Sequence, residues 1–419
     1  MDIDTESIQT LAVPAESRPE EEKVVAFAAR LARALHRSGS PATRLEEVIG
    51  GIASRLGQEG NYLSLPTAFM ASFGPFGRQN VVLVRVEPGD INLQKLVQLD
   101  EVADRVSSGK LDLDTGARLV EAVETARPPY GPVLTTFCTG VTSAATARFL
   151  GGGWREIAVS GVIGLLVGLM SIFFTRRRAI YRVFEPAAAF LASVLAVAAA
   201  WWIGSLSTSV TIVGGLIFLV PGFSFTIAMS ELNSRHLMSG TGRLMGAFTT
   251  FMIIGLGVLL GGKVAVMLSL VSRGAGESIP LPWAEALAMA AGLLCLGIIF
   301  RAPPRDLHWI LGIGSVAYAT TRFGADPLGA DVSTWLAALV LGLLSSAYSR
   351  LKRRPATVTL VPGLMLLVPG SMGLRSMLLM MDQNVMTGLD GAFQVAMMAV
   401  TLATGLLVAD ILLAPKKSL

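Results

Sequence analysis

The sequence predicts an all-α polytopic membrane protein, with ten transmembrane helices in a 5+5 inverted repeat and an N-terminal cytoplasmic α+β domain. Three observations carry this expectation. The 419 residues are 52% hydrophobic and 15% charged, with a mean hydropathy of +0.61, too apolar for an ordinary soluble chain of this size. The apolar residues are segregated: residues 1–127 are charged and mixed, whereas 131–414 are nearly continuous blocks of membrane-spanning length. Two of those blocks carry a Val-Pro-Gly in the same register, 148 residues apart.

The chain begins with polar, acidic residues and no apolar core, so no signal peptide is expected and the N-terminus should stay in the cytoplasm. Residues 1–19, with Pro14 and Pro19, read as a disordered tail. In 20–38, acids lead and apolar residues recur at three and four, which predicts a helix stopped by Gly39. A second helix is expected over 42–57. Residues 61–73 and 79–86 read as two paired strands joined by a Gly-Pro-Phe-Gly turn. Two further helices, Leu93–Ser108 and Leu113–Arg127, complete an ααββαα domain over 20–127.

Arg127-Pro128-Pro129-Tyr130-Gly131-Pro132 reads as a stiff hinge. Ten apolar blocks follow, near 133–150, 157–175, 186–204, 209–230, 244–271, 283–300, 308–321, 332–349, 356–381 and 385–414. The seventh is short for a span, and the fifth and tenth are long enough to tilt. With the N-terminus inside, the inner loops hold fourteen Lys and Arg against six on or near the outer side. Both termini are therefore expected in the cytoplasm. This loop pattern also explains the net charge of +4 without a nucleic-acid partner.

Sliding the chain by 148 residues lays Thr211 on Thr359, Val213 on Val361, Gly215 on Gly363, and Val220-Pro221-Gly222 on Val368-Pro369-Gly370. Gly240 falls on Gly388 and Gly257 on Gly405. The repeats are placed at 131–271 and 281–414. Each holds five spans, an odd number, so they must cross the membrane in opposite directions.

Proline removes a backbone donor and glycine tolerates the angles that follow, so each Val-Pro-Gly should break its helix. A break in lipid survives only where protein or a wet cavity satisfies the freed groups. The half-helix N-termini carry partial positive charge and free amides, which suit a carboxylate. The expected substrate-binding residues are Gly215, Pro221, Gly222, Ser224 and Thr226 in the first repeat, and Gly363, Pro369, Gly370, Ser371 and Arg375 in the second. The competing reading of each Pro-Gly is a packing kink.

Intramembrane acids often bind protons or ions, which nominates Glu231 and Asp410 for proton coupling. Glu185 is a third such acid. All three lie near predicted interfaces, where pairing with Arg235, Lys416 and Arg182 respectively is the plainer account. Thr135, Thr136, Thr139, Thr142, Ser143 and Thr146 make the first block polar, for tight helix packing or for a wet pathway. Cys138 and Cys295 are expected as reduced packing residues, and His36, His236 and His308 as structural. Ser64, Ser72, Asp90, Asp100 and Asp104 of the N-terminal region form no nucleophile elbow, zinc pair or phosphate loop. No enzyme activity, metal or cofactor is expected.

LPTAFMASFG, INLQKLVQLDEVADRVSSGKLDLDTGARLVEAVE, GGLIFLVPGFSFTIAMSEL and LVPGLMLLVPGS together resemble the threonine/serine exporter (ThrE) family, over roughly residues 20–414. Some relatives divide the chain into two polypeptides; residues 1–270 and 280–414 look like those parts fused. The resemblance implies an antiporter in the bacterial cytoplasmic (inner) membrane that exports threonine and serine, driven by the proton motive force. Its partners would be that small molecule and the lipid bilayer, with a homo-oligomer left open. The alternative is export of succinate, a dicarboxylate, which is associated with split relatives. In the second repeat Met372 and Gly373 replace Ser224 and Phe225, so the repeats need not supply equal ligands.

Overall fold

A computed structural model describes residues 8–11, 19–75, 79–87, 89–175, 182–270, 282–367, 370–381 and 385–413. The N-terminal part contains β1 (Ile8–Leu11), α1 (Pro19–Arg37), α2 (Ala42–Arg55), β2 (Gly60–Leu65), β3 (Ala68–Phe73), β4 (Asn80–Arg85), α3 (Leu93–Ser107) and α4 (Leu113–Thr125). The four strands form one antiparallel sheet in the order β1-β4-β3-β2.

Two expectations are corrected here. Residues 61–73 are not one strand. Leu65 pairs with Ala68, so Pro66 and Thr67 form a two-residue hairpin turn. Proline has no amide to give to a ladder, and the chain reverses there instead. In the tail expected to be disordered, Ile8–Leu11 pairs with Val81–Val84 and covers the open edge of β4.

The helices form where predicted. Asn92 caps α3 by accepting from the Lys95 amide at 3.1 Å, and Asp112 caps α4 by accepting from the Thr115 amide at 2.9 Å. Phe27, Leu31 and Leu35 of α1 bury against Leu45, Ile49 and Ile52 of α2, with Phe69 and Val84 from the sheet.

The apolar region folds into α5 (Pro132–Phe149), α6 (Trp154–Thr175), α7 (Phe184–Ile203), α8 (Thr208–Leu216), α9 (Gly222–Asn233) and α10 (Leu237–Met267). It continues with α11 (Pro282–Ile299), α12 (Leu307–Leu328), α13 (Ala330–Lys352), α14 (Thr357–Leu367), α15 (Gly370–Met381) and α16 (Val385–Leu412). Among the described residues, six stretches are long and apolar enough to cross a membrane: α6, α7, α10, α13, Thr357–Met380 and α16. The other blocks fall short for identifiable reasons. Hydroxyls dilute α5, the break splits α8 from α9, and α11 is short in its described part. Arg322 and Asp326 interrupt α12, which nonetheless runs seven residues beyond the apolar block expected to end at Thr321.

Small residues let the long helices touch. Gly257 and Gly261 of α10 lie against the Pro186 and Phe190 carbonyls of α7, and Gly405 of α16 lies against the Trp335 carbonyl of α13. Gly240 packs on Leu232 and the Ala228 carbonyl. Gly388, 148 residues on, packs on Met380 and the Ser376 carbonyl, which are 148 residues after Leu232 and Ala228.

The N-terminal domain is fastened to one end of this bundle. Its core continues into Ala302, Ile310 and Val361. The Leu93 and Gln94 amides at the start of α3 each donate at 3.0 Å to the Phe300 and Arg301 carbonyls at the end of α11. Two helix ends thereby satisfy each other's unpaired groups. The Tyr130 hydroxyl, in the expected hinge, donates to the Ala302 carbonyl at 2.9 Å.

Candidate functional site

The first helix break forms as the Pro-Gly chemistry requires. α8 ends at Leu216 and α9 starts at Gly222, with no side-chain cap on its first turn. The Phe225 amide is the first of α9 to find a helical partner, the Pro221 carbonyl at 3.0 Å. At the second Val-Pro-Gly, α14 is described up to Leu367 and α15 from Gly370. Pro369 lies outside the described residues.

The two Val-Pro-Gly stretches touch. A Cβ placed on Gly370 would lie 3.1 Å from Val220 Cγ1 and 3.3 Å from Gly222 Cα. Glycine at 370 permits this approach without displacing either neighbour. Chain segments separated by 148 residues in sequence thus meet at their Pro-Gly positions.

Beside this contact lies a cavity of about 1000 Å³. Pro221, Gly222, Ser224, Gly370 and Ser371 contribute to its wall. α5 lines it from Pro132 to Phe149 through Thr135, Thr136, Thr139, Thr142 and Thr146. Eighteen residues of helix rise about 27 Å, close to the thickness of a bilayer's hydrocarbon core. At the domain end the wall includes Asp90, Tyr130 and Arg301; at the other end it includes Arg148, Glu285, Tyr318 and Arg322. There Arg322 Nε donates to Glu285 Oε1 at 3.1 Å, and the Tyr318 hydroxyl donates to the same oxygen.

The hydroxyl face of α5 is therefore one wall of the cavity. Thr139 and Thr146 satisfy their hydroxyls on the carbonyls four residues back. Ser143 points elsewhere, toward the Gly215 carbonyl at 3.4 Å, and serves packing.

The other expected site residues separate into different roles. Gly215 packs on Ile163 and Gly363 on Leu341, each allowing close helix approach. Thr226 is buried and returns its hydroxyl to the Gly222 carbonyl at 3.2 Å. Arg375 and Asp410 are exposed and outside the cavity wall. Glu231, 1% exposed, also lies outside it. Its carboxylate accepts from Arg243 Nε and Nη2 at 3.2 and 3.1 Å, from the Ser239 hydroxyl at 2.9 Å, and from the Ala42 amide at 3.1 Å. Its partner is Arg243 rather than the expected Arg235. The Ala42 contact places this negative charge on the positive end of α2, so Glu231 ties the N-terminal domain to the end of α9.

A second tie runs from Arg44, which donates to Asp100 at 3.1 Å and to Thr357 at the start of α14 at 3.4 Å. The N-terminal domain thereby holds one half-helix of each break. Nearby, His36 donates from Nε2 to the Leu65 carbonyl at 2.8 Å, and burial pulls its imidazole below the usual range.

Sequence reasoning missed the polar ends of the cavity. Arg148, Glu285, Tyr318 and Arg322 come from three helices, and nothing in their spacing unites them. The threonine spacing on α5 was a usable signal, since hydroxyls at three- and four-residue steps share one helix face.

Comparison with known proteins settles the family. A family model described as a threonine/serine exporter, ThrE, matches residues 26–265. A second, Threonine/Serine exporter, ThrE, matches residues 285–412. The chain belongs to the threonine/serine exporter family. This is a membrane transporter family, and the chain is a multi-pass membrane protein of the fused form.

Its curated relatives include proteins named pheromone-regulated membrane protein 10. That of Pichia sorbitophila is 27% identical over 84% of this chain and 37% of its own length. That of Candida glabrata is 27% identical over 87% and 48%, and that of Saccharomyces cerevisiae 28% over 84% and 47%. The chain thus spans less than half the length of these relatives. They are fungal, and none of them supports the expected bacterial inner membrane. No solved structure matches the chain.

Proposed function

We propose that this chain is a secondary active exporter of small hydrophilic amino acids, threonine and serine, which alternates access around its two broken helices. One observation carries the reading. A single cavity follows α5 for nearly the thickness of a bilayer and takes part of its wall from both Val-Pro-Gly stretches. Broken helices paired across two halves of a chain are the usual seat of a transporter's substrate. In this reading the substrate carboxylate sits at the first turn of α9, which has no side-chain cap, and at that of α15, beside Ser224 and Ser371.

The accompanying architecture is ten spans in a 5+5 inverted repeat, with the N-terminal domain and both termini in the cytoplasm. The glycine contacts of Gly240 and Gly388, matched at 148 residues on both partners, support the repeat. The basic loops support the orientation. Drive by the proton motive force is part of the proposal. Glu231, held by Arg243, is better suited to fastening the domain than to releasing protons.

The rival is a dicarboxylate exporter, which the arginines in the cavity wall would serve. A substrate panel in reconstituted vesicles, with and without a pH gradient, separates the two. Saturable threonine and serine flux accelerated by the gradient is expected. Succinate flux without amino-acid flux would replace the reading by the rival, and unsaturable flux would make the protein a channel.

A further inference from the structure

We propose that Glu185 binds the ammonium group of the substrate and excludes dianions from the cavity, an assignment that rests on the amino-acid export reading above. Glu185 lies in the first turn of α7, immediately before Pro186, half-buried in the wall of the cavity. Among the described residues it makes no hydrogen bond and no ion pair. Arg182, the partner suggested by sequence, is exposed and does not reach it.

The charges on neighbouring helices are engaged elsewhere or point away. On α6, Arg155 donates to Ser205, and Glu156 accepts from the Gly153 and Ser207 amides. On α10, Arg243 holds Glu231, and Lys263 makes no contact with Glu185. Within the cavity Glu285 is neutralised by Arg322 and Tyr318. Asp90 is exposed at the domain end, so Glu185 is the half-buried cavity acid without a partner among the described residues, and its charge is left for a ligand. Phe184, Leu219 and Val220 share the wall, and beside such apolar surface an unpaired carboxylate favours a cation that completes the pair.

The charge of the described wall agrees. Its described residues include three acids, Asp90, Glu185 and Glu285, and three arginines, Arg148, Arg301 and Arg322. A wall of zero formal charge suits a zwitterion. It gives a dianion no net attraction, and Glu185 repels it directly.

The test uses the full chain in proteoliposomes, with labelled threonine as substrate. Unlabelled serine, succinate and 3-hydroxybutyrate, which carries no ammonium group, serve as competitors. Glu185→Gln is expected to raise the KM for threonine roughly tenfold or more and to let succinate and 3-hydroxybutyrate compete. Glu185→Asp should retain part of the wild-type affinity, with both variants monodisperse in detergent. The proposal is overturned, with the export reading intact, if wild type carries threonine and Glu185→Gln keeps its KM and selectivity. It is also overturned if that variant keeps its KM but loses acceleration by the pH gradient, since the carboxylate then serves protons. If wild type carries succinate and no amino acid, both readings fall together.

Discussion

Gly370 is where one added methyl group tests the most. A Cβ there would press on Val220 Cγ1 at 3.1 Å and on the Gly222 Cα at 3.3 Å. Val220 could shift by a few tenths of an ångström, but the Gly222 backbone is held by the first turn of α9. Overpacking of this kind costs about 1–3 kcal/mol. If only one access state contains the Gly222–Gly370 contact, Gly370→Ala disfavours that state by about 5- to 150-fold. Leucine at Gly370 or at Gly222 should abolish transport altogether. The assay is threonine flux in proteoliposomes, normalised to inserted protein. Gly246→Ala and Gly312→Ala are the controls, since a Cβ at either position meets nothing within 4 Å. Normal flux from both leucine variants would refute the assignment, because it would mean that the breaks neither meet during transport nor seat the substrate.

Three other perturbations address separate links. Glu231→Ala leaves Arg243 and the Ala42 amide without their acceptor and should cost about 3–5 kcal/mol of stability, read as a lowered Tm and faster proteolysis between the N-terminal domain and the bundle. Thr142 is 7% exposed, and its hydroxyl finds no partner among the described residues. Thr142→Val should therefore leave stability unchanged or raise it by up to about 1 kcal/mol, read from Tm; a marked loss would show that the hydroxyl is satisfied in the folded protein. His36 is buried with its imidazole below the usual range, so the folded state takes up its proton less readily than the unfolded one. Its stabilising contribution is complete above the ordinary pKa of 6.5 and is lost as pH falls through that value toward the lowered one. Denaturation midpoints from pH 8 to pH 5 should fall in wild type and flatten in His36→Gln.

The sequence by itself determined most of the helices and where the apolar blocks lie. Apolar blocks, charged loops and a 148-residue repeat are one-dimensional signals, and each reports a local cost: burying charge, exposing apolar surface, or continuing a helix through Pro221-Gly222. The N-terminal helices and their caps were legible for the same reason. The Pro66 turn was also legible in principle, because proline excludes itself from a central strand. Two features could not be read this way.

The meeting of Gly222 with Gly370 depends on how two distant stretches of the chain pack, and no local residue records that they face each other. The role of an acidic side chain depends on its neighbours rather than its position. Glu231 and Glu185 both stand at helix ends in the sequence, yet Glu231 faces Arg243 and the α2 amide, whereas Glu185 faces the cavity. An ion pair forms only where two charges come within a few ångströms, and that proximity is decided by tertiary packing alone.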